Sequence, residues 1–367
     1  MKVPFNYLPF QFSKVGPYFS EWKKLIKSTE FTLGKYVEEF EKNFAKYIGI
    51  KHCISTNNGT DALILSLKAL NIKEGDEVIT VCNSFYATTG AIVECGAKPV
   101  FVDCDDRFQI NVKQIEKAIT KKTKAILPVH WGGASPDIND IVKIAKKNNL
   151  KIIEDACMGI GAKIGNKYPG TFGEVNAFSM HPLKSLNVMG DGGMVVTDNN
   201  NLASWLRKYR NHGMINRDNI AIWGTNNRLQ PLQAVVANIE LKKINQIIIQ
   251  RNRNAKILDD GLKNITGVKI PNRKKGYKET FALYMAQFKK RDQLKKFLIK
   301  NNIEVKIHYP KPLHLQNPSK KLGYKTKDFP IAEKQAKELL TLPVHQYLSR
   351  KQLNYMVSKI QQFYSNK

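Results

Sequence analysis

The apolar positions of this chain fall into two rhythms. In residues 35–48 (KYVEEFEKNFAKYI), Val37, Phe40, Phe44 and Tyr47 recur at helical spacing, and Gly49 stops the run. Leu63, Leu67 and Leu70 form one face of a second helix, expected over residues 61–70. Between such stretches stand short runs that read as strands: HCIST at 52–56, then 77–81, 99–103, 124–129, 151–154, 175–180 and 193–197. Further helices are expected near 87–95, 111–119, 137–148 and 202–211. Strands buried on both faces show short unbroken apolar runs of this kind. Their alternation with helices predicts an α/β layer around one mostly parallel, seven-stranded sheet flanked by helices.

The flanks follow a different pattern. Residues 1–34 read as an irregular arm with one short helix around 21–27, and residues 161–169 as a small hairpin. A long helical region from about 229 to 262 leads into a second group of elements. These are a strand at 281–288, a helix at 293–300, a strand at 303–307, a proline-rich loop at 309–318, and helices near 331–340 and 349–363. The expected division is a large domain with its arm over 1–240 and a smaller α+β C-terminal domain over 241–367, joined by the long helix. A chain of 367 residues is long enough for both.

Composition narrows the class. An apolar fraction of 42% and an aromatic fraction of 10% belong to a globular protein. The net charge of +28 raises nucleic acid, an acidic membrane surface or an anionic substrate as partners. The lysines are spread along the whole chain and interleaved with acidic residues, and no nucleic-acid recognition motif accompanies them, so no nucleic-acid partner is expected. Five cysteines, an odd number without a CxxC pair, fit a reducing cytoplasm and give no metal-ligand spacing. No apolar run approaches a membrane span, and Pro4 and Pro9 break the N-terminus where a signal peptide needs an apolar core. A soluble cytoplasmic protein, with neither membrane insertion nor a metal, is the expectation.

Four places could carry chemistry. The turn Asn57-Asn58-Gly59-Thr60-Asp61 precedes a helix, where free backbone N–H groups and the macrodipole attract anions; an ordinary N-cap gives the same residues. Asp155 ends the strand KIIED at the edge where open α/β sheets bind ligands, and could hold a pyridine nitrogen protonated or simply cap the next turn. Lys184 lies in the loop SMHPLKSLNVMGDGG between two core strands; a desolvated amine there can condense with an aldehyde, whereas a solvated one only decorates a turn. Ser179, five residues before it, could hydrogen-bond a phosphate. Phe85, in the loop CNSFYATT, could stack on an aromatic ring or belong to the core.

These stretches occur in a fixed order with GAKPVFVD, TKAILPVHWGG, LRKYRNHG, NNRLQPLQAVV and LPVH. The ordered set, from about Tyr36 to Tyr347, resembles the DegT/StrS family of pyridoxal-phosphate-dependent sugar aminotransferases. The resemblance implies a fold-type-I aminotransferase with pyridoxal 5'-phosphate bound to Lys184 as an internal aldimine. It implies that Asp155 partners the pyridine nitrogen, that Gly59, Thr60 and Ser179 cradle the phosphate, and that Phe85 stacks on the ring. Asn226 matches an asparagine that reaches the phosphate of a neighbouring subunit, so a homodimer is implied. Arg228 is a candidate for anion contact near that interface, or for a salt bridge there. His308 and Tyr309 match a stretch near the substrate. Met158 departs from the pattern: the family usually has glutamine or histidine there, near the phenolic oxygen, and methionine cannot donate that hydrogen bond.

The activity implied is transfer of an amino group from an amino acid, L-glutamate by expectation, to an anionic keto-sugar. A nucleotide-linked keto-deoxyhexose for surface polysaccharide is the leading acceptor, with a cyclitol or a non-nucleotide keto-sugar as the alternative. A non-catalytic regulator that binds pyridoxal phosphate or nucleic acid is the reading from a different class. Related dehydratases carry histidine in place of the lysine; Lys184 argues against that chemistry.

Overall fold

The computed structural model describes residues 1–365; Asn366 and Lys367, the end of the expected C-terminal domain, lie outside it. Twelve strands are formed among the described residues: β1 (His52–Thr56), β2 (Glu77–Val81), β3 (Lys98–Val102), β4 (Thr123–Leu127), β5 (Lys151–Ile152), β6 (Lys163–Ile164), β7 (Asn176–Ser179), β8 (Gly193–Thr197), β9 (Val268–Lys269), β10 (Tyr277–Lys278), β11 (Tyr284–Phe288) and β12 (Leu339–Leu342).

The expected seven-stranded, mostly parallel sheet is found as two sheets. One is parallel and four-stranded, in the order β3-β2-β4-β5; the other is antiparallel and three-stranded, β1-β8-β7. Single parallel bridges from Asp155 to Val129 on one side and to Ala177 on the other join them. The ladder breaks beside Asp155 for a local reason. The N–H of Glu154 donates to the Asn176 side chain, not to a strand carbonyl. Pro128, with no N–H to give, follows the last residue of β4. β8 runs antiparallel because the chain returns from β7 through the loop 180–192 with no crossover helix, and a parallel return needs one.

Other elements also depart from expectation. The N-terminal arm is more helical than its sequence suggests, with helices Leu8–Gln11 and Gly16–Ser28. It is fastened to the body through buried Glu240, whose carboxylate accepts from Gln11 Nε2, Tyr18 Oη and Lys243 Nζ, each at 2.6 Å. The long helical region is two helices, Pro231–Leu241 and Ile244–Leu262, broken next to that carboxylate. The strand expected at 303–307 is not formed: Val3 donates to the Asn302 carbonyl and accepts from the Glu304 N–H, whereas Lys306 exchanges hydrogen bonds with Thr341, so the partner changes before a ladder can grow. The helix expected at 331–340 ends at Glu338, and its apolar tail becomes β12, which pairs with β11. A four-residue apolar run fits a buried strand and a buried helix turn equally well.

Three apolar cores hold the chain. The first fills both faces of the parallel sheet, around Ile79, Leu127 and Phe108. The second lies between the helix Lys35–Ile48, strands β7 and β8, and the helix Pro231–Leu241; Phe40 and Phe44 are fully buried there, each burial contributing about 2–3 kcal/mol. The third joins β11 and β12 to the helices Ile244–Leu262 and Arg350–Ser365. Beside the first core, Asp103 accepts the N–H groups of Ile331 and Ala332 at the start of the helix Pro330–Glu338, whose Ala332 packs into that core. The parallel strands all end towards one side, and on that side a cavity opens.

Candidate active site

The cavity has a volume of about 560 Å³ and lies over the C-terminal ends of the strands, between the sheet and the C-terminal elements. Its wall includes Gly59, Thr60, Phe85, Asp155, Met158, Ser179, Lys184, His308 and Tyr309. Nine of the sequence candidates therefore meet in one place.

At one end stands the helix Gly59–Ala69. Asn58 caps it, its Oδ1 accepting from Asp61 N at 2.8 Å. Gly59 and Thr60 open the helix, so their amides have no carbonyl one turn earlier to bond. Gly59 packs tightly on Ser179: a Cβ at Gly59 would come within 2.6 Å of the serine Cβ and 3.0 Å of its Oγ. Gly193 passes equally close, since a Cβ there would collide with the Asn58 carbonyl. The result is a small concave patch of backbone N–H groups and one hydroxyl, sized for an anion such as a phosphate.

On the floor, Asp155 is 4% exposed. Its Oδ2 accepts from Thr88 Oγ1 at 2.7 Å and its Oδ1 from Cys157 N at 3.2 Å. Lys184 sits half-buried across from it, and burial lowers its amine below lysine's ordinary range against the opposing pull of Cys157 and Asp155. The lysine backbone is pinned, with its N–H on the His181 carbonyl and its own carbonyl accepting from Tyr7 Oη at 2.8 Å. A less basic amine is neutral more often, which is what condensation with an aldehyde requires.

The far wall is aromatic. Tyr309 lies 5.2 Å from Tyr86, 5.7 Å from Trp131 and 6.1 Å from Phe85, centroid to centroid. Burial pushes the Tyr309 phenol up to about 12. His308 Nδ1 shares a hydrogen bond with Thr341 Oγ1 at 2.9 Å, and burial, reinforced by the positive charges of Lys184 and Lys306, brings its imidazole down to about 4. The Met158 carbonyl accepts from Thr280 Oγ1, and no side-chain hydrogen bond is available from its thioether.

Two candidates lie elsewhere. Asn226 is exposed and Arg228 donates to Asn211 Oδ1 at 2.8 Å; neither lines this chain's cavity. Both belong to a projecting segment that exposes Ile215, Ile220 and Trp223, the last 88% exposed. Sequence reasoning missed Thr88, Tyr7 and Arg251. Thr88 was visible in the loop CNSFYATT but carried no charge to attract notice, and Tyr7 lay in the arm taken as irregular.

The residues present suit pyridoxal phosphate on structural grounds alone: a phosphate-sized cradle at Gly59, a buried carboxylate on the floor, and a desolvated lysine facing it. Residues 18–361 match the sequence pattern of the DegT/DnrJ/EryC1/StrS aminotransferases. The chain belongs to this family. It is a pyridoxal-phosphate-dependent aminotransferase. The aminotransferase is similar to a "pleiotropic regulatory protein" of Geobacillus stearothermophilus, 39% identical with 99% of each chain covered. It is also 37% identical to a UDP-N-acetyl-3-dehydro-α-D-glucosamine 3-aminotransferase of Acidithiobacillus ferrooxidans, covering 90% of this chain and 89% of that one. Among solved structures, DesV of S. venezuelae in complex with a ketimine intermediate superposes with a TM-score of 0.97 at 32% identity. It covers 100% of this chain and 99% of its own. No helix of the described residues is long and apolar enough to cross a membrane.

Proposed function

We propose that this aminotransferase moves an amino group from L-glutamate to the 3-keto group of a nucleotide-linked sugar, in the cytoplasm, for surface polysaccharide. The observation that carries the catalytic part is the half-buried Lys184 amine facing the fixed carboxylate of Asp155 across one cavity. The acceptor rests on the Acidithiobacillus relative, whose name gives a UDP-linked 3-dehydro sugar as its substrate.

Pyridoxal phosphate, when bound, supplies the electron sink that lets a donor's α-hydrogen leave as a proton. Gly59, Thr60 and Ser179 would hold its phosphate, and Phe85 would supply an aromatic face for its ring. Asp155, oriented by Thr88 and 4% exposed, would keep a proton on the pyridine nitrogen, its burial shielding that charge pair from water. Lys184 Nζ takes the proton from the donor's α-carbon and returns protons to the carbon that becomes aminated. The Tyr7 hydrogen bond to the Lys184 carbonyl fixes the base of that side chain while its amine moves. Tyr309 and Trp131 offer an apolar shelf on which a sugar ring can lie. Met158 leaves the phenolic oxygen without the donor its family has there.

The active unit in this reading is a homodimer. The segment bearing Asn226 and Arg228 projects with Trp223 at its tip, and a second copy is the occupant that would cover that apolar surface and bring Asn226 to the neighbouring phosphate. The name of the Geobacillus relative keeps a regulatory role as a second reading. Purified protein loaded with pyridoxal phosphate tests both. Amination of UDP- and dTDP-linked 3-keto-sugars dependent on glutamate and abolished by Lys184→Ala, read by mass, supports the enzyme. A loaded protein that converts none of them with any amino acid overturns it.

A further inference from the structure

The first residues of the N-terminal arm run along the C-terminal elements before they reach the lysine loop. Val3 is bonded to Asn302 and Glu304, and its side chain is buried in the third core. The Pro4 carbonyl accepts from His345 Nε2 at 3.0 Å, and the Phe5 N–H donates to Glu304 Oε2 at 2.8 Å. Two residues on, Tyr7 Oη reaches the Lys184 carbonyl. The Tyr7 ring lies 5.2 Å from the guanidinium carbon of Arg251, a buried arginine with no carboxylate within ion-pair distance among the described residues. Chain ends are loose unless tied down. This one is tied on both sides of Phe5, and Phe5 lines the active-site cavity.

Val3 and Tyr7 are buried, whereas the Phe5 ring is left half-buried. It stacks on His308, with ring centroids 6.2 Å apart and planes 28° apart. His308 meets Tyr309 edge-on at 5.4 Å, and Tyr309 lies 5.7 Å from Trp131. Rings from the arm, the C-terminal elements and the sheet thus make one continuous strip along the cavity. The imidazole in that strip is neutral near pH 7, because burial lowers it to about 4, so the strip carries no charge. L-Glutamate gains little from such a surface, since its two carboxylates need donors or cations. A pyranose gains more: its C–H faces pack on aromatic rings while its hydroxyls keep polar partners. A sugar seated against Tyr309 and Trp131 leaves the Phe5 end of the strip to cover its outer part.

We infer that Phe5 is a specificity-determining residue for the acceptor: its ring packs on a C–H face of the keto-sugar and takes no part in the donor's half of the reaction. The inference rests on the aminotransferase reading above. It gives the arm a task beyond fastening, since the arm delivers one wall of the acceptor site.

The two halves of the reaction are read separately on the holoenzyme, through the visible band of bound pyridoxal phosphate. L-Glutamate discharges the band in one mixing experiment, and UDP- or dTDP-linked 3-keto-sugars restore it in the next. Phe5→Ala is expected to react with L-glutamate within about threefold of wild type. In the acceptor half its kcat/KM is expected to fall about tenfold or more, mostly through KM. Phe5→Tyr, which keeps the aromatic face, is expected to stay within about threefold of wild type in both halves. If Phe5→Ala does not fold, Phe5→Leu keeps the bulk without the aromatic face and carries the same comparison. Parallel losses in both halves overturn the assignment, because they make the ring a mere support, and so does an acceptor half left unchanged. A wild-type holoenzyme that returns its amino group to none of the keto-sugars overturns the functional reading and this inference with it. That outcome is distinct from a wild type that completes both halves beside an equally active Phe5→Ala.

Discussion

Replacing Gly59 with alanine tests the phosphate cradle with a single methyl group. The new Cβ would lie 2.6 Å from Ser179 Cβ, 3.0 Å from its Oγ and 3.3 Å from Cys157 Sγ. Carbon atoms pack best at about 3.5–4.0 Å, so the overlap is about 1 Å and is not relieved by a flexible side-chain end. Overpacking of this kind costs about 1–3 kcal/mol. Alanine is the better helix former by up to about 1 kcal/mol, but Gly59 is the first residue of its helix, where that preference counts least. The clash wins, and the apo protein is expected to melt at a lower temperature. Cofactor binding suffers separately. Pushing Ser179 from the Gly59 and Thr60 amides loses at least one hydrogen bond to a charged phosphate, worth about 1.5–3 kcal/mol, or about 10- to 150-fold in affinity. Thermal melts of the apo protein and equilibrium titration with pyridoxal phosphate read the two effects. Adding Ser179→Gly should restore the melt, since it removes the clashing atoms, without restoring affinity. An alanine variant with wild-type melting and wild-type affinity would refute the reasoning.

Asp155→Asn keeps the shape and the Thr88 contact but not the charge; single-turnover proton abstraction from L-glutamate should fall about 100- to 1,000-fold, with pyridoxal phosphate still bound. Met158→Gln supplies a donor beside the cavity and should shift the visible band of the bound cofactor, read by absorbance, while apo melting stays within about 1 kcal/mol of wild type. Trp223→Asp places a charge on the most exposed aromatic of the projecting segment and should convert dimer to monomer in analytical ultracentrifugation; a variant that stays dimeric removes this segment from the interface. Burial takes both His308 and His345 from 6.5 to about 4, so the unfolded chain binds protons between those values that the folded chain refuses. Stability should therefore fall as pH drops from 6.5 to 4, by about 3 kcal/mol for each histidine, and His345→Gln should flatten that slope in denaturant titrations.

The site was far more legible in the sequence than its supports were. Gly59, Asp155, Ser179 and Lys184 announce themselves by charge, by glycine, and by sitting where strands end, and all four line one cavity. Local pattern also placed β1, β2 and β8 on their observed residues. Pattern has no view of long-range partners, and this is where the reading fell short. Nothing near residues 303–307 reveals that Val3 and Thr341 divide their hydrogen bonds, and nothing near Tyr7 reveals Lys184. Arg251 did leave a trace, as a guanidinium at a helical position where the period asks for an apolar side chain. A buried arginine is informative only once its missing counter-charge is seen, and sequence does not show that.

Asp155 sits on the seam between the two sheets, bridged to Val129 on one side and to Ala177 on the other, and it also lines the cavity. The same residue is thus a backbone stitch and a chemical group. Whatever draws on that carboxylate also draws the halves of the protein together, so occupancy of the site should be felt as mechanical cohesion across the seam. In a population of variants this makes position 155 a poor place to separate damage from disablement. A change that loosens the stitch and a change that silences the chemistry arrive together, and compensation would have to come from both sheets at once.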